Sequence, residues 1–440
     1  AMKKSLLHSI VLGLIDVLLL VGVFYIAAYM RVNIDSSLAP LFGRFLFKDF
    51  SFVILIVFAL MYYEKIYTLR YDFWQETYKV LRSLFLAYFI VLALLTLLKT
   101  SLDYSRLFIS LYFMFTMMIM PIAKRYTKKI LYSMSFFKKK VLVVGDSNQV
   151  EVLKKEFTAN WYMGMECHDT NYDTVVISSK RMSIDEVNKK IAKYLDMKSS
   201  VYVVPYVTGI NFASSTIMEY SNIRYNTIQI ENKLFNKKNI LIKSMFDMLV
   251  AFTTLPLFII LHLMITFAIK LNSTGAVFFK QHRLGKGDND FVCYKYRTMY
   301  ENSDKILEDY LQENPDEAQY YNEYHKYKND PRITKVGKIL RATSLDELAQ
   351  LLNVIKGDMS LVGPRPYMLG ESDKLGGKKH FILKVKPGIT GLWQVSGRNN
   401  LTFKERNELE VWYIKNWSLW DDFVILIKTV KVVLNKVGAK

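Results

Sequence analysis

Apolar residues are concentrated in four runs near the N-terminus. The first run, residues 6–30, contains one histidine and one carboxylate, His8 and Asp16; it is longer than a signal-peptide core and lacks a small-residue cleavage site. Three shorter runs follow at residues 50–63, 84–98 and 107–122. Each falls somewhat short of the roughly 20 residues of a straight span, but its aromatic flanks can extend it. The pattern predicts a four-helix transmembrane bundle within residues 1–134.

Basic residues flank the four runs unevenly. They precede the first run, separate the second from the third and follow the fourth: Lys3, Lys4, Lys65, Arg70, Lys79, Arg82, Lys124, Arg125, Lys128 and Lys129. The two other loops carry fewer, so the positive-inside rule places both ends of the bundle in the cytoplasm. Asp16 is predicted to face other helices or a polar lumen, and a functional intramembrane site is the alternative.

Short apolar strands alternate with a helix after the three lysines at 138–140. The predicted strands are KVLVVGDSNQ, DTVVISS and SSVYVVPY, and the predicted helix, SIDEVNKKIAKYLDMK, begins at a capping box of Ser183 and Glu186. This alternation predicts a Rossmann-like α/β domain at residues 138–236. Only Gly145 stands where the dinucleotide motif has three glycines, so a structural or regulatory use is favoured over nucleotide binding.

A fifth apolar run, residues 245–269, interrupts the soluble sequence and is long enough to cross a bilayer. A crossing would leave basic residues on both sides of the membrane: Lys237, Lys238, Lys243, Lys270, Lys280 and Arg283. Pro256 removes a helix hydrogen bond near the middle of the run, and Thr253 and Thr254 can bond the carbonyls thus freed. The pattern favours a re-entrant helix that breaks at Pro256 and returns to the same face.

The segment TSLDELAQLLNVIKGDMSLVGPRP places two adjacent carboxylates, Asp346 and Glu347, at the start of a predicted helix. Ser344 and Glu347 match a capping box, and Gly357 ends the helix. Its apolar face is formed by Leu345, Leu348, Leu351, Leu352 and Ile355. In one interpretation Glu347 caps the helix and Asp346 complements the helix dipole. In the other, a carboxylate held ionised where phosphate groups also bind attacks phosphorus.

Several basic residues near turn-rich motifs are candidate phosphate ligands. Arg365 lies between Pro364 and Pro366, whose fixed φ values limit how far its guanidinium can move. The other candidates are Lys295, Arg297, Arg341 and Arg398. The residues alone leave phosphate chemistry and surface salt bridging both open.

Composition agrees with a membrane protein that has soluble parts. The 440 residues are 51% hydrophobic, and the mean hydropathy is +0.12. The net charge of +19 permits anionic lipid, nucleic acid or a phosphate-rich substrate as partner and does not choose among them. Cys167 and Cys293 are far apart, so neither a disulfide framework nor a zinc site is indicated.

Three blocks carry a family resemblance: GAVFFKQHRLGKGDNDFVCYKYRTM, KNDPRITKVGKILRATSLDELAQLLNVIKGDMSLVGPRP and KPGITGLWQVSGRN. In order and spacing they resemble the bacterial sugar transferase family of monotopic phosphoglycosyl transferases, and the segments ahead of them resemble its large-format members. The resemblance places a catalytic domain with a re-entrant helix at residues 237–440. Ala349 stands where the family usually has proline, and Leu255 stands where serine usually precedes the proline matching Pro256.

The resemblance implies a reaction and roles for the candidate residues. The aspartate matching Asp346 attacks the sugar-bearing phosphorus of a UDP-sugar, UMP leaves, and the phosphate of undecaprenyl phosphate then attacks the enzyme-bound phosphosugar in a ping-pong scheme. Glu347 matches a partner carboxylate that binds Mg²⁺. Arg341 and Arg365 match phosphate-handling arginines. The other basic candidates match blocks near the active site: Lys295, Arg297 and Arg398.

The resemblance also implies a location and partners. We expect a multi-pass protein of the bacterial inner membrane with a cytoplasmic catalytic domain that acts on a UDP-hexose and undecaprenyl phosphate among membrane lipids. The expected cofactor is Mg²⁺, no nucleic acid partner is expected, and a homodimer is left open. The block GITGLWQVSGRN favours galactose over glucose, for synthesis of O-antigen, capsule or exopolysaccharide. The alternative is an inactive membrane scaffold of polysaccharide assembly.

Three tryptophans lie beside the last apolar run, in EVWYIKNWSLWDDFVILIKTVKVVL: Trp412, Trp417 and Trp420. Tryptophans in such a place either anchor a helix at the membrane interface or pack in the core. The sequence leaves both interpretations open.

Overall fold

The computed structural model divides into two compact units, residues 1–207 and 208–440, which are described separately. The residues that it describes are 2–34, 47–97, 105–197, 200–205, 210, 212, 215–220, 225–314, 317, 330–397 and 401–434. The predicted domain boundaries at 1–134, 138–236 and 237–440 stay a prediction.

Four helices form the N-terminal part of the first unit, as the apolar runs predict. They are α1 (Met2–Ile34), α2 (Phe47–Tyr63), α3 (Phe73–Leu97) and α4 (Arg106–Leu131). In α1, α3 and α4 the apolar segments are long enough to cross a membrane, whereas that of α2 is shorter. Phe50 packs edge-to-face on Phe108 and Tyr112, with ring centroids 5.4 and 4.8 Å away, so aromatic contacts join α2 to α4.

Buried charged residues pair with one another in this helical part. Lys124 Nζ lies 2.6 Å from Asp16 Oδ2 and 3.7 Å from Glu76 Oε1, and Lys128 pairs with the same Glu76. Asp16 therefore faces other helices, as predicted. The positive-inside argument counts Lys124 and Lys128 as flanking charges, but both are buried against carboxylates, because an unpaired charge among these helices would be costly.

A four-stranded parallel sheet follows the helices. Its elements are β1 (Lys139–Val144), α5 (Ser147–Ala159), β2 (Met165–Cys167), β3 (Thr174–Ser178), α6 (Ile184–Met197) and β4 (Val201–Val204), with the strand order β2–β1–β3–β4. The capping box is confirmed, since Glu186 N donates to Ser183 Oγ at 3.2 Å and Ser183 N donates to Glu186 Oε2 at 3.0 Å. The Rossmann-like interpretation stays a prediction.

The second unit combines a long apolar helix with an α/β part that holds two hairpins. Its described elements are β5 (Thr216–Tyr220), β6 (Tyr225–Gln229), α7 (Lys237–Asn272), β7 (Phe278–Leu284), β8 (Asp290–Tyr296), α8 (Ser303–Glu313), α9 (Lys335–Thr343), α10 (Leu351–Lys356), β9 (Ser360–Val362), α11 (Lys379–Ile382), β10 (Gly388–Thr390), α12 (Leu392–Ser396), α13 (Phe403–Asn416) and α14 (Leu419–Leu434). Strands β5–β6 and β7–β8 are antiparallel pairs, and β9 and β10 are parallel. A 3₁₀ helix, Leu345–Gln350, joins α9 to α10.

The apolar run that was predicted to break at Pro256 is one continuous helix, α7, with the proline inside it. Thr253 Oγ1 donates to Leu249 O at 2.9 Å and Thr254 Oγ1 donates to Val250 O at 2.8 Å, so each threonine bonds a carbonyl of its own preceding turn. The predicted helix break is therefore wrong, because a 36-residue helix keeps its remaining hydrogen bonds around the one that proline removes. Re-entry into the membrane stays a prediction.

One side of α7 packs along its length against the rest of the second unit. Its buried residues are Lys243, Asp247, Ala251, Phe258, Ile265 and Ile269. Their spacing of four or seven residues keeps them on one helical face. Large apolar side chains on the remaining faces are exposed, among them Leu249, Leu257, Leu263 and Phe267. Both halves of α7 thus contact the same unit, while an apolar surface is left without cover.

The C-terminal helices pack against α7 through a buried carboxylate. Asp422 accepts hydrogen bonds from Lys243 Nζ at 2.7 Å, Tyr413 OH at 2.7 Å and Trp417 Nε1 at 2.9 Å. Trp417 is therefore a core residue. Trp412 is 36% exposed, and Trp420 stacks on Phe423.

Candidate active site

A cleft of about 630 Å³ lies in the second unit between the β7–β8 hairpin and the α9–3₁₀ junction. It brings together five of the seven predicted site residues: Lys295, Arg297, Arg341, Asp346 and Glu347. These residues are separated by up to 52 positions in the chain, and the fold places them around one cavity.

The two carboxylates stand on a 3₁₀ turn, and the predicted capping box is wrong. Ser344 has φ +57°, because it ends α9 in the left-handed conformation, and its side chain does not cap the following turn. The Glu347 carboxylate points to the neighbouring strand instead, with Oε1 2.8 Å from Lys295 Nζ. Gly357 ends α10 at φ +88°, as predicted. The Glu347 side chain therefore pairs with Lys295 and does not form the predicted cap.

Asn353 fixes the carboxylates relative to Lys295, and the sequence reasoning missed it. Its side chain accepts from Tyr294 N at 3.0 Å and donates to Val292 O at 2.7 Å, so it completes the hydrogen bonds of β8. Asn353 is fully buried in α10. A polar residue inside the apolar sequence LLNVIK was the available signal, because a buried amide needs partners.

Arg341 reaches the cleft because α9 lies close to the strand end. Its Nε donates to Thr298 Oγ1 at 2.9 Å, and Thr334 N, at the start of the helix, donates to Thr298 O at 3.0 Å. Gly337 permits this approach, since a methyl group on it would lie 2.8 Å from the Thr298 carbonyl carbon.

We expect Gly337→Ala to destabilise the second unit by about 1–3 kcal/mol, the usual cost of overpacking, since the clash is with backbone. The measurement is the thermal unfolding of the purified protein. Gly370→Ala is the matched control, because a methyl group there has no atom within 4 Å. Equal melting of the two variants would contradict the proposed close contact.

Asp346 is chemically the most unusual group in the cleft. Burial raises its pKa to about 6, the adjacent Glu347 adds to the rise, and Lys295 and Arg341 oppose it. A carboxylate that is partly desolvated but surrounded by cations has the character of a functional group rather than of a surface residue.

Arg297 connects the cleft to the end of α7. Its Nη2 donates to Ser273 O at 3.1 Å and to Ser273 Oγ at 3.0 Å, and its buried Nε has no hydrogen-bond partner in the part of the chain that the structure describes. Gly275 stands beside it at φ +110°, a conformation that favours glycine, and a Cβ there would also meet the ends of the Arg297 and Glu301 side chains.

Arg365 does not line this cleft. The Pro-Arg-Pro loop is held by hydrogen bonds to side chains of α13. The Arg365 backbone N donates to Glu410 Oε1 at 2.7 Å, and Tyr367 OH donates to Asn407 Oδ1 at 2.7 Å and also contacts Glu410. Burial raises the pKa of Glu410 to about 7. Arg398, the remaining predicted site residue, lies outside the described residues.

Arg283 links that loop to the cleft, and it was not among the predicted site residues. Its Nη1 donates to Pro366 O at 3.1 Å, and its Nη2 donates to Gln281, which lines the cleft. Burial lowers the pKa of Arg283, the Arg365 charge lowers it further, and Glu347 opposes the change. Arg283 therefore lies close enough to Arg365 and Glu347 for their charges to change its pKa.

The carboxylate pair fits a hard divalent cation. No group of three or more histidine, cysteine, aspartate or glutamate side chains is arranged to hold a metal among the described residues. Mg²⁺ commonly takes only one or two protein carboxylates and completes its shell with water and substrate phosphate. Asp346 and Glu347 offer such a pair, and the Glu347 side chain keeps 32% of its surface exposed.

Comparison with known proteins identifies the family. Residues 238–436 match the family described as bacterial sugar transferase. The undecaprenyl-phosphate galactose phosphotransferase of Salmonella typhimurium is 32% identical over 406 residues, covering 85% of this chain and 84% of the relative. The UDP-galactose-lipid carrier transferase of Erwinia amylovora is 30% identical over 405 residues, with 85% and 84% covered. Galactosyl transferase CpsE of Streptococcus agalactiae is 32% identical over 435 residues, with 89% and 94% covered.

The chain therefore belongs to the bacterial sugar transferase family. The predictions of this family and of a phosphotransferase enzyme are confirmed. The similarity covers more than four fifths of these relatives, so it extends beyond the catalytic segment into the first unit.

Proposed function

We propose that the protein transfers a hexose 1-phosphate from a UDP-hexose to undecaprenyl phosphate and releases UMP, as the first membrane step of surface polysaccharide synthesis. The observation that carries the proposal is the cleft in which Asp346, of raised pKa, lies near the charges of Lys295 and Arg341. Arg297 lines the same cleft. An inactive scaffold would not require a desolvated carboxylate beside cationic side chains.

Asp346 acts as the nucleophile in the first step. Its carboxylate oxygen forms a bond to the sugar-bearing phosphorus, the bond from that phosphorus to the bridging oxygen breaks, and UMP leaves with the electron pair. Arg341 and Lys295 hold phosphate oxygens and neutralise the charge that builds up on them. In the second step an oxygen of undecaprenyl phosphate attacks the same phosphorus, and Asp346 is released.

Glu347, next to the nucleophile Asp346, is proposed to hold Mg²⁺. When bound, this cation would neutralise phosphate charge and help to orient the donor. The ion pair with Lys295, at 2.8 Å, holds the Glu347 carboxylate in the cleft.

Galactose is the favoured hexose, and glucose is the alternative. The names of the relatives from Salmonella typhimurium, Erwinia amylovora and Streptococcus agalactiae all refer to galactose or galactosyl transfer. The test is UMP release by the purified protein with Mg²⁺, undecaprenyl phosphate and a panel of UDP-sugars. Faster release from UDP-galactose than from UDP-glucose supports the assignment, and the reverse order overturns it.

The apolar helix α7 is proposed to hold the cleft at the depth of the lipid phosphate, on the cytoplasmic face of the inner membrane. Its buried residues from Lys243 to Ile269 all pack on the second unit, so a straight crossing would carry part of that unit into the bilayer. Its exposed apolar faces are suited to lipid. A re-entrant helix or a helix in the plane of the membrane keeps the unit out of the bilayer and still places the apolar faces in lipid. A homodimer is compatible with both placements.

Cysteine labelling tests this topology. In a variant without Cys167 and Cys293, we expect cysteines at Lys238 and Asn289 both to be protected from an impermeant thiol reagent in intact cells and both to react after lysis. The two positions lie on either side of the apolar run of α7, Lys238 in its first turn and Asn289 beyond its end, and both are exposed. Labelling of one position alone from outside would show that α7 crosses the membrane.

The raised pKa of Asp346 predicts a pH-dependent cost in stability. Ionisation is harder in the folded protein, where the pKa is about 6, than at the ordinary value of 3.8, so stability is lost as pH rises between these values. We expect metal-free Asp346→Asn to gain up to about 3 kcal/mol over wild type between pH 4 and 6, with a constant difference above that. Unfolding curves across this range measure it, and a difference independent of pH would contradict the raised pKa.

A further inference from the structure

A second cavity, of about 480 Å³, lies in the first unit and has no part in the proposed reaction. It opens where β1 and β3 end. Residues from the loop after β1, the loop after β3 and helix α6 line it: Gly145, Asp146, Lys180, Arg181, Met182, Glu186, Lys189 and Lys190.

The topology of the sheet puts this cavity at its switch point. In the order β2–β1–β3–β4, the chain leaves β1 toward one edge of the sheet and leaves β3 toward the other. Ligands of open parallel sheets bind in the crevice outside the carboxyl ends of the strands at this point. Gly145 allows the two loops to meet there, because a Cβ on it would lie 2.7 Å from Ser178 Cβ.

Asp146 lines this cavity and has one buried carboxylate oxygen without a hydrogen-bond donor. Only 10% of its side chain is exposed; Oδ2 lies 3.1 Å from Arg181 Nη1, and Oδ1 is buried with no hydrogen-bond partner among the described residues. Asp146 is the N-cap residue of α5, yet its side chain does not cap that helix. A buried acceptor without a donor is costly, and a ligand hydroxyl would satisfy it.

The charge of the lining favours an anion. Four cationic side chains stand against two carboxylates, and α5 begins directly after the lining residue Asp146. With one glycine in place of three, the loop cannot cradle a pyrophosphate. We propose that this cavity binds a small monophosphorylated ligand that carries hydroxyl groups, a mononucleotide or a sugar phosphate, with the phosphate at Arg181 and Lys190 and a hydroxyl donating to Asp146.

Hydrogen–deuterium exchange on the full chain in lipid nanodiscs tests the site, because it separates this cavity from the catalytic cleft. The probes are UMP, galactose 1-phosphate and inorganic phosphate, each added alone. We expect UMP or galactose 1-phosphate to slow exchange in peptides covering residues 145–150 and 179–190, and inorganic phosphate to do so only at higher concentration. Absence of protection in these peptides with every probe would overturn the proposal.

Two variants make the test specific. Lys190→Glu should weaken the protection roughly tenfold or more in ligand concentration, whereas Lys193→Glu, on the same helix but outside the cavity lining, should leave it unchanged. Asp146→Ala removes the acceptor and should weaken binding of UMP or galactose 1-phosphate more than binding of inorganic phosphate. An equal effect of Lys190→Glu and Lys193→Glu would show a general charge effect and overturn the site, and an unchanged affinity of Asp146→Ala for UMP and galactose 1-phosphate would overturn the hydroxyl contact.

Discussion

Asp346→Asn is expected to lower the transfer of hexose phosphate by roughly 10⁴-fold or more, the scale of removing a nucleophile. The amide has nearly the shape of the carboxylate but is a poor nucleophile, so the cleft should keep its form. The measurement is UMP release and lipid-product formation by the purified variant. Because the carboxylate is desolvated, the variant should also melt no lower than wild type above pH 6.

The matched control for this substitution is Asp373→Asn, the same chemical change at an exposed position that does not line the cleft. It should retain wild-type transfer. Near wild-type transfer by purified Asp346→Asn would exclude this residue as the nucleophile, and comparable loss in both variants would point to a nonspecific effect.

Glu347→Gln is expected to separate catalysis from stability. The Glu347–Lys295 pair is partly exposed, and such pairs contribute about 1 kcal/mol or less, so unfolding should change little. Glutamine can still accept the lysine hydrogen bond, but it lacks the anionic oxygen that Mg²⁺ prefers. Activity should fall roughly 100-fold or more, with a higher Mg²⁺ requirement in the activity that remains.

A Mg²⁺ titration of UMP release and a melting curve on the same preparation provide the comparison. Glu408→Gln is the control, since Glu408 forms an exposed ion pair with Lys378 at 3.7 Å, away from the cleft. If Glu347→Gln turns over with the wild-type Mg²⁺ dependence, Glu347 does not hold the cation.

The apolar pattern was sufficient to predict the four N-terminal helices and the alternation that gives the parallel sheet. The pattern could not predict ion pairs between residues that are far apart in the chain. Lys124 and Lys128 look like flanking charges in sequence, but they are buried because Asp16 and Glu76 come from other helices. Pro256 looked like a break because local rules describe the bond that it removes, not the rest of a 36-residue helix.

In the cleft, motif order was sufficient to find Lys295, Arg297, Arg341, Asp346 and Glu347, but not their contacts. The spacing of Ser344 and Glu347 matches that of a capping box. In the structure, however, Ser344 ends α9 in the left-handed conformation, and its side chain does not cap the next turn. Asn353 and Arg283 act through buried bonds to segments far away in the chain, at Val292 and Pro366. Such residues are recognisable only once their partners are known.

Mass spectrometry of wild-type protein incubated with UDP-galactose and Mg²⁺ in the absence of undecaprenyl phosphate tests the covalent mechanism most directly. We predict one hexose phosphate per chain, on the peptide that contains Asp346, with an equal amount of UMP released. Addition of undecaprenyl phosphate should then remove the adduct and yield the lipid product. Efficient transfer without any adduct, with UMP appearing only after the acceptor is added, would contradict the covalent mechanism.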